Sequence, residues 1–260
     1  MTAPQRSERV FRLFARYAAR YLRRHVHALR LAPWGRPPEN GEGRPLVIYS
    51  NHPSWWDALV YILLADRLFP RRRGYAPMDA AMLERYRIFH RLGAFAIEPD
   101  TPAGAKAFLG AARQILADPA SLMFVSAPGR FVDVRLRPQG VKAGIARLPE
   151  IAPHALLLPL AIEPVFWDER KPELLVAFGA PQTGEALAGL PRTERRLALE
   201  TALHATMDRL RDAALTRDPA AFDSLVAAGS GVGGLYDLWG RVGATLRGRR
   251  FDPSHRGAPR

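Results

Sequence analysis

Two hundred and sixty residues, 48% of them apolar, suffice for one large domain with a substantial core, or for a domain carrying helical attachments. Without cysteine the chain has no disulfide, no thiolate metal centre and no cysteine nucleophile. A formal charge of +13 points to an anionic membrane surface, nucleic acid or acidic substrates as partner.

All but three of the 38 Lys and Arg side chains are arginine. GC-rich coding explains arginine over lysine, but not basic over acidic. The start M-T-A-P-Q-R-S-E-R is followed by no apolar h-region, and no run reaches the roughly 18 apolar residues of a spanning helix. The expectation is a peripheral protein on the cytoplasmic face of the membrane.

Residues 7–31 carry apolar side chains three and four apart: Val10, Phe14, Tyr17, Tyr21 and Ala28, with Phe11, Ala18, Leu22 and Leu29 beside them. The spacing predicts a helix. Its remaining surface is arginine (Arg6, Arg9, Arg12, Arg16, Arg20, Arg23, Arg24 and Arg30), with Glu8 the only nearby acid. That pattern suits a helix lying in a bilayer interface, each basic residue adding about 1 kcal/mol near anionic lipid. A helix packed on its own domain, with a solvated basic face, has the same pattern. The Pro- and Gly-rich stretch 32–45 then reads as a linker.

The body alternates. Strands are predicted at Leu46–Ser50, Gly74–Pro77, Ala94–Ile97, Leu122–Ser126, Ala155–Ile162 and Leu174–Phe178. Helices are predicted at Ser54–Leu68, Asp79–Leu92, Thr101–Asp118 and Val141–Ile151, the third with Thr101 as cap and Pro102 at its first position. Such alternation argues an α/β fold with a largely parallel sheet flanked by helices. An N-terminal amphipathic helix and linker (1–45) would precede this body (46–190). Helices and a basic tail (191–260) would follow it.

One stretch carries chemistry. N-H-P-S-W-W-D (51–57) lies where a strand gives way to a helix, so His52 and Asp57 can meet. A carboxylate on one ring nitrogen leaves the other free to take a proton from a hydroxyl, the His–Asp half of a triad without its serine. On spacing alone, Ser54-x-x-Asp57 is equally a helix-capping box.

The stretch N-H-x-S-x-x-D after a short apolar strand resembles the first block of the glycerolipid O-acyltransferase family, the lysophosphatidic-acid-acyltransferase-like proteins. Asn51, His52, Ser54 and Asp57 all match. The resemblance implies that His52 and Asp57 are a catalytic dyad, deprotonating an acceptor hydroxyl that attacks an acyl-CoA or acyl-carrier-protein thioester. It extends over residues 46–180. G-A-F-A-I-E-P (93–99) stands at the second block, with Pro99 where the family has arginine. F-V-S-A-P-G-R-F (124–131) stands at the third, keeping Gly129 and lacking the glutamate. V-K-A-G-I-A-R-L (141–148) resembles the family's K-x-G-x-A-x-L helix through Lys142 and Gly144, and L-L-L-P-L-A-I (156–162) its fourth block.

Substrate contacts are expected from Asn51, Ser54, Ser126, Gly129, Arg130 and Lys142. The lost arginine implies an altered acceptor, a glycolipid or terpenoid alcohol rather than lysophosphatidate, with Arg130 a partial substitute and Arg135 and Arg137 further along. A lysophosphatidate acyltransferase of phospholipid synthesis, and an inactive membrane-binding protein of the same fold, are the alternatives. Trp55, Trp56 and Phe131 fit either a core or the wall of an acyl channel. The partners implied are an anionic membrane surface, a thioester donor and a lipid acceptor, with no cofactor or metal beyond that co-substrate. Nucleic acid is not expected, for want of a helix-turn-helix, zinc or aromatic RNA-binding signature. G-S-G-V-G-G (229–234) follows a predicted helix rather than a strand, so it is not read as a dinucleotide loop.

Overall fold

The structure, a computed structural model, describes residues 6–38 and 43–227. Along the chain these form α1 (Glu8–His25), β1 (Ala28–Leu31), β2 (Leu46–Ser50), α2 (Asp57–Leu68), β3 (Arg73–Asp79), α3 (Ala80–Arg85), α4 (Ile88–Leu92), β4 (Ala94–Ile97) and α5 (Pro102–Leu116). Then follow β5 (Ser121–Ser126), α6 (Ala143–Ala146), α7 (Leu148–Ile151), β6 (Leu156–Val165), β7 (Glu173–Phe178), β8 (Gln182–Thr183), α8 (Gly184–Ala188), α9 (Arg192–Leu215) and β9 (Asp223–Ala227). The glycine-rich 229–234 stretch and the basic tail lie outside the described residues.

The fold is α/β, as the alternation predicts. One mixed, mostly parallel sheet runs β4-β3-β5-β2-β6-β7-β1-β9, with β8 beside β6. β2 sits inside it, parallel to β5 on one side and to β6 on the other. Successive side chains of a strand face opposite layers. Leu46 and Ile48 thus pack with α1 and α2, whereas Val47 and Tyr49 pack with α5 and α9. Every residue of β2 is buried, as a strand covered on both faces requires.

α1 lays Phe11, Ala15, Ala18, Ala19 and Leu22 against its own domain. Three alanines on that face permit close approach. Glu8 in the first turn and Arg23, Arg24 and His25 in the last complement the helix dipole.

The helix predicted over 7–31 stops at His25. Ala28–Leu31 is instead a strand, parallel to β7 and antiparallel to β9, with all four residues buried. A charged cluster marks its register. Ala28 pairs with Glu173, whose carboxylate takes His27 Nδ1 at 2.6 Å and Arg30 Nε at 2.9 Å.

Two other predicted helices are broken into pairs. The 79–92 segment divides at Tyr86 and Arg87, and the 141–151 segment divides at Arg147, with Pro149 at the start of α7. α5 has the predicted start: Thr101 Oγ1 accepts the Gly104 N–H at 2.9 Å, and Pro102 opens the helix. Among the described residues no helix is long and apolar enough to cross a membrane.

Candidate active site at the end of the second strand

β2 delivers the chain to the carboxyl edge of the parallel strands, where the loops of such sheets form crevices. Asn51 fixes the exit. Its Nδ2 donates to the Ile162 carbonyl and its Oδ1 accepts the Ile162 N–H, both at 2.8 Å. Expected at the substrate, Asn51 is wholly buried, with both amide atoms engaged by β6. Ser50 Oγ donates to the Asn51 carbonyl at 2.7 Å and lies 2.5 Å from the Tyr61 hydroxyl. Tyr61 stacks on Phe124, ring centroids 4.8 Å apart, and burial pushes its phenol pKa upward.

The chain then turns so that His52 Nδ1 stands 2.6 Å from Asp57 Oδ2. Ser54 supports the carboxylate twice, its Oγ donating to Oδ1 at 3.2 Å and its N–H to Oδ2 at 3.4 Å. The same Oγ accepts the Trp56 N–H at 3.3 Å. Helix α2 starts at Asp57 with Trp56 as its cap residue, so Ser54 precedes the helix and its bonds to Asp57 coexist with the histidine contact. Ser54 braces Asp57 rather than reaching outward.

Asp57 has no exposed side-chain surface, whereas 24% of the His52 side chain is open. Burial pushes the Asp57 carboxyl pKa up, while the His52 hydrogen bond and charge, then Ser54, pull it down. With Asp57 ionised, Nδ1 carries the proton and Nε2 keeps a lone pair. The pair can hold a proton taken at Nε2 and stabilise the imidazolium that results.

The loop 127–132 closes over this pair. Ala127 N–H donates to the Ser50 carbonyl at 2.6 Å and Val132 N–H to the His52 carbonyl at 3.0 Å. Phe131, 61% exposed, lays its ring 4.4 Å from the His52 ring centroid. Gly129 has φ +62, and a Cβ there would stand 2.8 Å from Lys142 Cε. The positive φ favours glycine, and a side chain there would also have to displace the Lys142 stem.

The cations separate. The Lys142 ammonium pairs with Asp100, so its aliphatic stem, not its charge, meets the loop. Arg135 grips Asp133 at 2.8 Å and Arg137 grips Asp208 at 2.8 Å. Arg130 is exposed and has no acidic partner among the described residues. Ser126 ends β5 opposite Ser50 in the register.

The structure thus gathers His52, Ser54, Asp57, Ser126, Gly129 and Phe131 at one edge, and turns Asn51 and the Lys142 charge away. Tyr61 escapes the sequence motif. Its place four residues after Asp57, one helical turn on, is the signal that would find it. Among the described residues no cluster of three His, Asp or Glu side chains could hold a metal ion. No protein-family model matches the chain, and no curated protein matches it.

Proposed function

We propose that the chain is a peripheral membrane O-acyltransferase that moves a fatty acyl group from a CoA or carrier-protein thioester to a lipid-borne hydroxyl. One observation carries this reading: a fully buried Asp57 at 2.6 Å from His52 Nδ1, with the imidazole partly open to solvent. In the reaction, His52 Nε2 takes the acceptor's hydroxyl proton as the oxygen attacks the thioester carbonyl carbon. The tetrahedral intermediate collapses, the carbon–sulfur bond breaks, and the leaving thiolate recovers the proton from the imidazolium. Asp57 holds the tautomer throughout and stabilises the transient cation.

The surroundings favour an acceptor other than lysophosphatidate. Arginine forks suit phosphate, yet Pro99 offers no donor and Lys142, Arg135 and Arg137 are bound to carboxylates. Arg130 remains, beside the exposed ring of Phe131. A glycolipid or terpenoid alcohol needs no cluster of free cations beside His52. The arginine-covered outer side of α1 supports contact with anionic lipid.

The test is acyl transfer in native membranes with labelled acyl-CoA and, separately, labelled acyl-carrier protein, comparing wild type with His52→Ala. General-base catalysis contributes about 10²–10⁴-fold, so a product should all but vanish in the variant. Its mass identifies the acceptor. Equal products with both donors would overturn the transferase reading, and efficient turnover of lysophosphatidate would overturn the altered acceptor.

A further inference from the structure

Six exposed large apolar side chains belong to α1, α3, α4 and the turn that carries His52. Leu13 and Tyr17 on α1, Trp55 before α2, and Met82, Tyr86 and Ile88 around α3 and α4 all face solvent; Tyr86, the most covered, is still 42% exposed. Ring contacts join the aromatic members of this set, Tyr17, Trp55 and Tyr86, into one chain. Phe14 joins Tyr17 at 5.6 Å to Phe89 at 6.1 Å, and Phe89 meets Tyr86 at 6.3 Å. Tyr21 joins Tyr17 at 5.9 Å to Trp55 at 6.3 Å. A continuous apolar strip therefore runs from α4 across α1 to the turn between His52 and Asp57.

The strip is bordered by positive charge on two sides. Exposed Arg9, Arg16 and Arg20 lie along α1, and exposed Arg85, Arg87 and Arg91 lie along α3 and α4, where Glu84 is the only acid. Within 80–91 only Leu83 is buried, so this segment adds little to the core while presenting three large apolar side chains. Contiguous exposed apolar surface of this kind marks an interaction site. α3 begins at the carboxyl end of β3, which is parallel to β5 and through it to β2, so the segment opens at the sheet edge that carries His52.

We propose that α3 and α4 form a second membrane-contacting element which, together with α1 and Trp55, seats the His52 cleft on an anionic bilayer surface. The inference rests on the peripheral-membrane reading above and adds an element to it. Aromatic and aliphatic side chains belong at the headgroup boundary, and the flanking arginines meet anionic headgroups. One helix on a bilayer can roll about its axis. Two elements side by side, with Trp55 at the end of the strip next to His52, fix the tilt, so that the turn carrying His52 faces lipid. A nucleic-acid surface would have the arginines but no use for exposed Leu13, Met82 and Ile88.

The cysteine-free sequence makes the test direct. The full chain is prepared as three single-cysteine variants, Tyr17→Cys, Ile88→Cys and Leu215→Cys, each labelled with a polarity-sensitive dye. Leu215 is an exposed control at the end of α9, on the opposite layer. On phosphatidylcholine vesicles containing phosphatidylglycerol, the labels at positions 17 and 88 should both shift to the blue and the label at 215 should not. The triple variant Met82→Ser/Tyr86→Ser/Ile88→Ser, with unchanged circular dichroism, should lose about tenfold or more in vesicle partitioning. A response at position 17 alone, with the triple variant partitioning normally, overturns the second element and leaves the membrane reading standing. No response at either position and no sedimentation with vesicles overturns both. A shift at position 88 that follows protein concentration without vesicles overturns the inference in favour of a contact between copies of the chain.

Discussion

Asn51 and Ile162, 111 residues apart, exchange two hydrogen bonds of 2.8 Å each, the side-chain amide of one matching the backbone of the other. This bond pair ties the exit of β2 to β6 at the residue next to His52. It replaces the backbone pairing that the strand gives up as it leaves the sheet.

Asn51→Ala leaves a buried N–H and a buried carbonyl without partners, at about 1–3 kcal/mol each. Urea unfolding should show a loss of about 2–4 kcal/mol. Asn51→Asp should be no better, since a carboxylate faces the Ile162 carbonyl. Transfer activity should fall in both variants through displacement of His52. A stability change under 1 kcal/mol would mean that the amide does not hold the exit.

Asp57 sets stability against chemistry. Burial raises its carboxyl pKa, so its ionised form costs folding free energy. By linkage its contribution is present in acid and is lost as pH climbs from about 4, the ordinary carboxylate value, through the raised one. Asp57→Asn removes that dependence. At neutral pH its melting temperature should equal or exceed that of wild type, while transfer falls by about 10²–10⁴-fold. Calorimetry from pH 4 to 8 should show the difference growing in the variant's favour. A variant markedly less stable than wild type at pH 7 would contradict this.

His204 works in the opposite sense. It accepts the Gln139 N–H at Nε2, 3.0 Å away, which requires the neutral ring. Burial lowers its pKa, Arg137 adds to that, and Glu200 and Asp208 oppose it. A lowered histidine stabilises the fold above its unfolded value of about 6.5, and that stabilisation is lost as pH falls through the lowered value. The segment ending at Gln139, already clamped by Arg137 to Asp208, should loosen in acid. Hydrogen exchange at 133–140 should rise between about pH 6.5 and 5 in wild type. In His204→Gln, exchange corrected for its intrinsic pH dependence should stay flat over the same range.

The site was legible where its parts are neighbours in sequence. His52, Ser54 and Asp57 fall within one loop and one turn of helix, so spacing alone brings them together. α5 was legible at its start, because a Thr cap and a following proline are local signals. β1 was not. Ala-Leu-Arg-Leu continues a helical stripe without a break, and its strand conformation depends on Glu173 and β9 far along the chain. Nothing local distinguishes Asn51 as a cross-strand clamp from Asn51 as a substrate ligand, because the deciding partner is Ile162. The Lys142 ammonium is likewise drawn off by Asp100, 42 residues earlier. The two divided helices keep their apolar spacing on both sides of the break, so periodicity reads them as single.

The place of β1 also sets an order of assembly. Its parallel partner starts at Glu173, so the slot it fills does not exist until the ribosome has delivered most of the body. At about 5–20 residues per second, α1 and the strand behind it wait on the order of ten seconds for the rest of their sheet. During that interval α2 and α4 emerge and can meet the first helix, whereas β1 still lacks both of its strand neighbours. Of the described strands, β1 is made before all the others and is among the last to be paired.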